Sequence, residues 1–559
     1  MATEVRLTSG ATRAAASGLA LALFLSVPGA VVSAAFVARL GISPALIACA
    51  FAVTIGAALW SDRVNALQTL ALATVILAVC FGVSALIFDV TFDGQTYHQT
   101  AVRLLAGGWN PVWAPRAHEH DVSGIYLTNL PKSAWVLEAM VYRATGAFEA
   151  AKGVQFAGML SAFLLLWPAL ETLRIRRGAA ILVAALAAAN PVSLTQAASF
   201  YVDGLVASSL IIVIALVILW LRTGERRWIP ALILIAAFLA NLKFNGILFE
   251  LLVGLAAGSW VWWRARSRTR EALMIAAAAA IVTTLVGINP YITNTVLYGN
   301  PAYPAFGRGA MHAVVHYDTT FARQSRVVQL FRALASESSN IDERPPKLKV
   351  PLTVRASEIG AFSTVDTRIG GLGPLFGGAL LIAWALLAYA VVRGRPGSWP
   401  LALLSLYLFC SALAIPFGYY SRYAPQLWFA ALPALLIDFH HRTAVRVLAA
   451  LLACNTLLVG SVSLATQLVV GAVQREQLRT IARDAAGAEI TYAQVGPPFL
   501  NVDLRFGAYG IRHRAVQEAT CGQPALLLAT HALVCLPDGR SPAPTPDPAR
   551  AATAWLRSL

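Results

Sequence analysis

Apolar runs about as long as a bilayer is thick recur along this chain as far as residue 470. A helix needs roughly 20 predominantly apolar residues to cross the hydrocarbon core, and inside lipid it satisfies its own backbone polar groups. The runs fall near 15–37, 43–60, 66–88, 154–173, 178–196, 202–221, 228–242, 244–263, 271–289, 374–392, 398–416, 421–438 and 445–469. They predict an all-α polytopic membrane protein of about 13 transmembrane helices. Composition agrees: 13% of the 559 residues are charged, where a soluble chain carries roughly 25%. The first run has the length of a span and lacks a cleavage site followed by a soluble domain, so a retained helix is expected there.

The net charge of +16 comes largely from arginines in short loops. One set holds Arg63; Arg174, Arg176 and Arg177; Arg222, Arg226 and Arg227; Arg264, Arg266, Arg268 and Arg270; Arg393 and Arg395; Arg442 and Arg446. All fall on one side of the predicted topology. The positive-inside rule makes that side cytoplasmic, puts the N-terminus with Arg6 and Arg13 inside, and puts the C-terminus outside. The charge therefore reads as topology, and no nucleic acid is implied.

Two long loops, 89–153 and 290–373, fall on the opposite, outer side, and loops of such length are often functional. The first carries an amphipathic stretch, Gly94 to Ala106, and then a Gly107-Gly108-Trp109-Asn110-Pro111 turn signal. A second stretch, Lys132 to Tyr142, with Trp135, Leu137 and Met140, suits the interface plane. The second loop includes a charged, proline-rich piece, Asp342 to Lys349. A transmembrane unit thus spans 1–472. A small extracytoplasmic α/β domain occupies 473–540, with strands expected over 489–495 and 525–534, and a proline-rich flexible tail covers 541–559. Cys49, Cys80, Cys410 and Cys454 lie in apolar runs and read as small core residues. Cys521 and Cys535 lie in the C-terminal domain, where an oxidising compartment lets them pair.

The chemistry gathers at the mouth of the third span, in Asp89-Val90-Thr91-Phe92-Asp93-Gly94-Gln95-Thr96-Tyr97-His98. A carboxylate at a membrane surface is costly to desolvate and marks a functional site. Asp89 and Asp93 can serve as general base, as oxygen ligands to a divalent cation, or as the N-cap of the following helix. Asp93 sits deepest in the polar cluster, and His98 lies within reach of both acids. His118, Glu119, His120 and Asp121 match no closed zinc site. Other outer corners are polar as well. They comprise Gln196 to Asp203 with Tyr201, Asn241 to Asn245 with Lys243, Asn289 to Pro304 with Asn294, Asp366 to Gly371 with Arg368, and Tyr419 to Tyr423 with Tyr420 and Arg422. Their shared side predicts one convergent outer cavity, in which Lys243, Arg368 and Arg422 suit a phosphate.

The stretches Asp93-Gly94-Gln95-Thr96-Tyr97-His98, Tyr201-Val202-Asp203-Gly204, Thr293-Asn294 with Gly299-Asn300-Pro301, and Arg422-Tyr423-Ala424-Pro425 resemble bacterial members of the GT-C superfamily of membrane glycosyltransferases. The likeness covers most of residues 1–470 through short motifs. It implies inverting transfer of a hexosyl or pentosyl unit from a polyprenyl-phosphate sugar to a glycan, lipid or protein acceptor, at the outer face of a bacterial inner membrane. An acid of the first outer loop is then the base. Asp93 and Asp89 are the matching positions, with His98 beside them. Gln95, Tyr97, Tyr201, Asp203, Asn294 and Tyr420 line the substrate. Lys243 and Arg422 stabilise the leaving phosphate. Asp89 and Asp93 are the residues to hold Mg or Mn if a metal is needed. The acids are four apart, wider than the family pattern, and the loop follows the third span rather than the first. The alternative is a transporter or flippase of a lipid-linked or anionic solute, which would place its charges nearer the midplane of the spans.

Overall fold

The computed structural model describes residues 7–61, 65–118, 122–308, 310, 321, 323–340, 345–437, 443–495, 501–519, 521–537, 539 and 547–548. Arg6, Arg63, Arg442, the cluster Glu119, His120 and Asp121, the acidic start of the 342–349 piece and most of the tail lie outside them.

The chain is mostly helical and is a multi-pass membrane protein by helix length and hydropathy. Eight helices among the described residues are long and apolar enough to cross a bilayer: Ser9–Val37, Pro44–Ser61, Ala66–Ala85, Glu149–Thr172, Asp203–Thr223, Asn245–Arg264, Arg266–Val286 and Thr443–Ala485. Five shorter apolar helices accompany them: Arg177–Ala188, Trp228–Ala240, Phe376–Val392, Ser398–Ala414 and Gln426–Leu436. Ser9–Val37, Glu149–Thr172 and Asp203–Thr223 are buried along most of their length and form the centre of the bundle. Gly158 lets two of them approach closely, since a Cβ there would collide with Leu205. Pro44–Ser61, Ala66–Ala85, Asn245–Arg264 and Arg266–Val286 leave most of their apolar surface exposed, as lipid-facing helices do.

Several sequence expectations change. The run 178–196 is broken, because Pro191 has no N–H for the ladder and the Asn190 side chain accepts from Ser193 N to start a new helix, Pro191–Gln196. The run 421–438 holds only two short helical pieces, Gln426–Phe429 and Leu432–Leu436, with Pro433 opening the second. The last long helix starts near 443 and continues through residue 472 to Ala485. Cys80 is buried, but Cys49, Cys410 and Cys454 sit on exposed faces of apolar helices and are not core residues. Lys132 to Tyr142 is almost entirely buried within the protein. It belongs largely to the helix Ser133–Thr145, whose Trp135, Leu137 and Met140 are buried in the main core.

The C-terminal unit is built on a four-stranded sheet, β1 Ile490–Gln494, β2 His513–Val516, β3 Ala525–Leu526 and β4 Ala532–Cys535, in the order β2-β1-β4-β3. β1 runs parallel to β2 and antiparallel to β4, with Thr491 opposite Cys535. The Cys521–Cys535 disulfide ties the chain before β3 to the end of β4. The helix Val502–Ala508 and the end of Thr443–Ala485 close a second, smaller core around Phe506, Ile490 and Val534.

Candidate functional site

The end of the third span is set by a buried polar knot. Asp89 is fully buried; its Oδ1 accepts from Thr91 N at 2.9 Å and Thr91 Oγ1 at 2.6 Å, and its Oδ2 from Phe200 N at 2.9 Å. Burial raises its pKa, with Glu149 adding to the effect and the Thr91 and Phe200 hydrogen bonds opposing it. Gly94 is required beside it, because a Cβ there would strike Asp89 Oδ2 and Thr91 Oγ1. The chain then makes one wide π-type turn, Gly94–His98, before the helix Gln99–Ala106. The two acids, both ahead of that turn, have different surroundings. Asp89 points into the protein, whereas Asp93 faces a cavity of about 740 Å³, within the usual size of small-molecule sites. Asp93 stands at the N-cap position, yet its side chain makes no capping hydrogen bond.

Arg422 organises the cavity. Its Nη1 donates to Asp93 Oδ2 at 3.1 Å and lies 3.9 Å from Asp203 Oδ2. Its Nε stands 2.9 Å from Asp366 Oδ1 as an ion pair off the N–H direction. The rings of Tyr201, Tyr420 and Tyr423 surround the guanidinium with centroids 5.4, 5.0 and 5.1 Å away. Burial works against the Arg422 charge, but Asp366, Tyr420, Tyr423 and Asp93 outweigh it and hold the pKa well above the usual arginine value. Lys243, between two helices, pairs with Asp203 at the first turn of its helix and stands 4.2 Å over the Tyr423 ring. Tyr97 OH lies 3.5 Å from Asp93 Oδ2, and the Asp93 N–H donates to Tyr201 OH at 3.3 Å. Arg368 Nε stands 3.6 Å from Asp366 Oδ2.

His98 also lines the cavity, with its Nδ1 accepting from Trp135 Nε1 at 2.7 Å. Burial pushes its pKa down to about 3, against the pull of Asp203 and with Lys243 and Arg422 adding to the shift. The imidazole is therefore neutral at ordinary pH. Tyr126, Trp135, Phe244 and Phe306 give the same cavity an aromatic wall.

The structure thus gathers Asp93, Tyr97, His98, Tyr201, Asp203, Lys243, Arg368 and Arg422 around one space. Four other candidates stand outside its lining. Asp89 is sealed in the knot just described. Gln95 donates to Thr91 O and Ala529 O. Asn294 braces a turn through Asn129 O and Tyr303 O. Tyr420 supports from behind, donating to Asp366. Asp366, Tyr423 and Trp135 entered the sequence reading only as members of longer stretches, not as site residues, and Tyr126 did not enter it. Asp366 was visible only as a neighbour of Arg368, and Tyr126 carried no signal in its loop.

A magnesium or manganese ion at Asp89 and Asp93 does not fit these residues, because the two carboxylates face different spaces and Asp89 spends both oxygens on protein donors. Among the described residues no three His, Cys, Asp or Glu side chains are disposed to hold a metal. The Arg422 guanidinium sits where Asp93, Asp203 and Asp366 converge.

No family model matches the sequence, no curated protein matches it, and no solved structure matches the fold.

Proposed function

We propose that the protein is an integral-membrane glycosyltransferase that moves a sugar from a polyprenyl-phosphate donor to an acceptor hydroxyl, with inversion, and that Asp93 is the general base. The observation that carries this reading is the placement of Asp93 against Arg422 and Tyr97 on the wall of a roughly 740 Å³ cavity that combines charged and aromatic side chains. Such a lining suits a ligand with both polar hydroxyls and apolar faces. Asp93 takes the acceptor proton as the acceptor oxygen attacks the anomeric carbon, and the bond from that carbon to the phosphate oxygen breaks. The charge left on the lipid phosphate is met by cations. Lys243 and Arg368 suit that task better than Arg422, because their side chains remain 25% and 32% exposed while that of Arg422 is 13% exposed and ringed by three aspartates.

Eight helices among the described residues are long and apolar enough to cross, and a reading of thirteen crossings takes the five shorter apolar helices, of 10–17 residues, as crossings too. With the arginine-rich loops taken as cytoplasmic, the cavity and the C-terminal domain lie on the outer face of a bacterial inner membrane. The disulfide suits an oxidising compartment there. A transporter is the second reading. Against it, Asp203 and Lys243 stand at helix ends rather than midway along a span.

The test is transfer from a polyprenyl-phosphate sugar in liposomes. Asp93→Asn should lose about 10²–10⁴ in rate while the protein still folds and binds donor. Full activity of folded Asp93→Asn would defeat the assignment, and solute movement without transfer would establish the transporter instead.

A further inference from the structure

The C-terminal domain supplies no cavity-lining residue among those described, yet it grips the segment that carries Asp93 on both sides. Arg505, on the helix Val502–Ala508, reaches out of its own domain and is almost fully buried. Its Nη2 donates to Asp89 O at 2.6 Å, and its Nη1 to Gln95 Oε1 at 3.2 Å and to Gln474 Oε1 at 2.6 Å. Glu149 Oε1 lies 3.5 Å from Nη2, and the guanidinium covers the Phe88 ring at 4.9 Å. One planar fork therefore fixes the chain four residues before Asp93 and two residues after it.

The same segment is held further along by the same domain. Gln95 Nε2 donates to Ala529 O at 2.7 Å, in the β3–β4 turn that the disulfide encloses. Asn501 Nδ2 donates to Thr100 Oγ1 at 3.2 Å, and Arg103 pairs with Asp503 at 2.7 Å. Arg475 Nη2 donates to Leu86 O at 2.7 Å on the other flank. Asp93 itself touches none of these groups in the hydrogen bonds described; its carboxylate meets Arg422 and Tyr97, its N–H donates to Tyr201 and its carbonyl accepts from Thr96.

We propose that Arg505 is a positioning residue that holds the Asp89–Gln95 segment so that the Asp93 carboxylate meets the cavity. This rests on the reading of Asp93 as general base. Displacing a reacting group by about 1 Å can cost on the order of 10²-fold in rate, and a guanidinium satisfying several acceptors at once is not replaced by a point charge. Asp89 O, Gln95 Oε1 and Gln474 Oε1 would each lose a donor if Arg505 were removed.

The experiment compares the full-length wild type with Arg505→Met and Arg505→Lys, each in nanodiscs. Hydrogen exchange is followed over peptides covering 86–103, together with transfer kinetics. In Arg505→Met, exchange over 86–103 should rise while Glu149–Thr172 and Asp203–Thr223 keep their protection. The kcat should fall roughly 10–100-fold with KM for the donor unchanged within about twofold. Arg505→Lys should fall between wild type and Arg505→Met in both readouts, and it serves alone if the methionine variant does not fold. Unchanged exchange over 86–103 overturns the proposal whatever the activity, and so does raised exchange with unchanged kcat. A wild-type protein that transfers no sugar overturns the enzyme reading instead, and the exchange comparison still decides whether Arg505 holds the segment.

Discussion

Replacing Arg422 by methionine removes one positive charge from among three carboxylates. Its nitrogens stand 3.1 Å from Asp93, 3.9 Å from Asp203 and 2.9 Å from Asp366. At an effective dielectric near 20, each such attraction is roughly 4–6 kcal/mol before desolvation is counted. The net effect is much smaller, because the charges also leave water on folding, yet breaking a buried pair by removing one partner typically costs about 3–5 kcal/mol. Arg422→Met should cost that much, since Lys243 and Arg368 then face three aspartates. Asp93→Asn is the contrasting change. It leaves Arg422 with Asp366 and Asp203, so the loss should be about 1 kcal/mol. The assay is unfolding in mixed micelles, monitored by tryptophan fluorescence, for wild type and both variants. Adding Asp366→Asn to Arg422→Met should recover about 0.5–3 kcal/mol as a coupling energy. Wild-type stability for Arg422→Met would refute the reasoning, because it would mean that water already screens the acids separately. A loss in Asp93→Asn equal to that in Arg422→Met would refute it too.

Two further outcomes follow from buried groups and from the C-terminal domain. Both Glu138 carboxylate oxygens are buried without a hydrogen-bond partner, and burial, with Asp89 adding, raises its pKa well above the ordinary value. The folded state then holds a proton that the unfolded state releases. Its contribution is complete below the unfolded pKa and falls by up to about 1.4 kcal/mol per pH unit above it; Glu138→Gln should therefore be more stable than wild type at pH 7, with the advantage vanishing near pH 4, as read from unfolding midpoints across pH. Reducing the Cys521–Cys535 disulfide, or replacing both cysteines by serine, opens a loop of sequence separation 14 and should cost roughly 3 kcal/mol, measured as earlier proteolysis of the C-terminal domain under native conditions.

The helices were legible because lipid leaves a chain few alternatives, and a 20-residue apolar run is hard to misread. The breaks inside them were less so. Asn190-Pro191 interrupts a run whose composition alone stays apolar, and only the capping geometry shows where the chain restarts. The Asp89–His98 cluster was visible because its members are neighbours in sequence. The division of labour between its two acids was not, since it turns on the distant Phe200 N–H that Asp89 accepts from and on the room that Gly94 leaves for Asp89. Arg422 was visible as a polar corner, but its partners were not. Asp93 is 329 residues away in the chain, and nothing local tells a phosphate anchor from the hub of three aspartates. Arg505 was invisible for the same reason, with its acceptor Asp89 lying 416 residues earlier.

The helix Thr443–Ala485 has 43 residues and so extends roughly 64 Å, about twice the thickness of the hydrocarbon core. It passes from the apolar bundle into the second core without a hinge, carrying Arg475 to the loop after the third span on the way. A continuous rod transmits tilt. Rotating its projecting half, about 32 Å long, by 5° carries the far end about 3 Å sideways, and helices tilt by such amounts when the bilayer thins or thickens. A change in the tilt of this helix would therefore displace the sheet, the disulfide-enclosed turn and, through them, the short segment between Asp89 and Gln95.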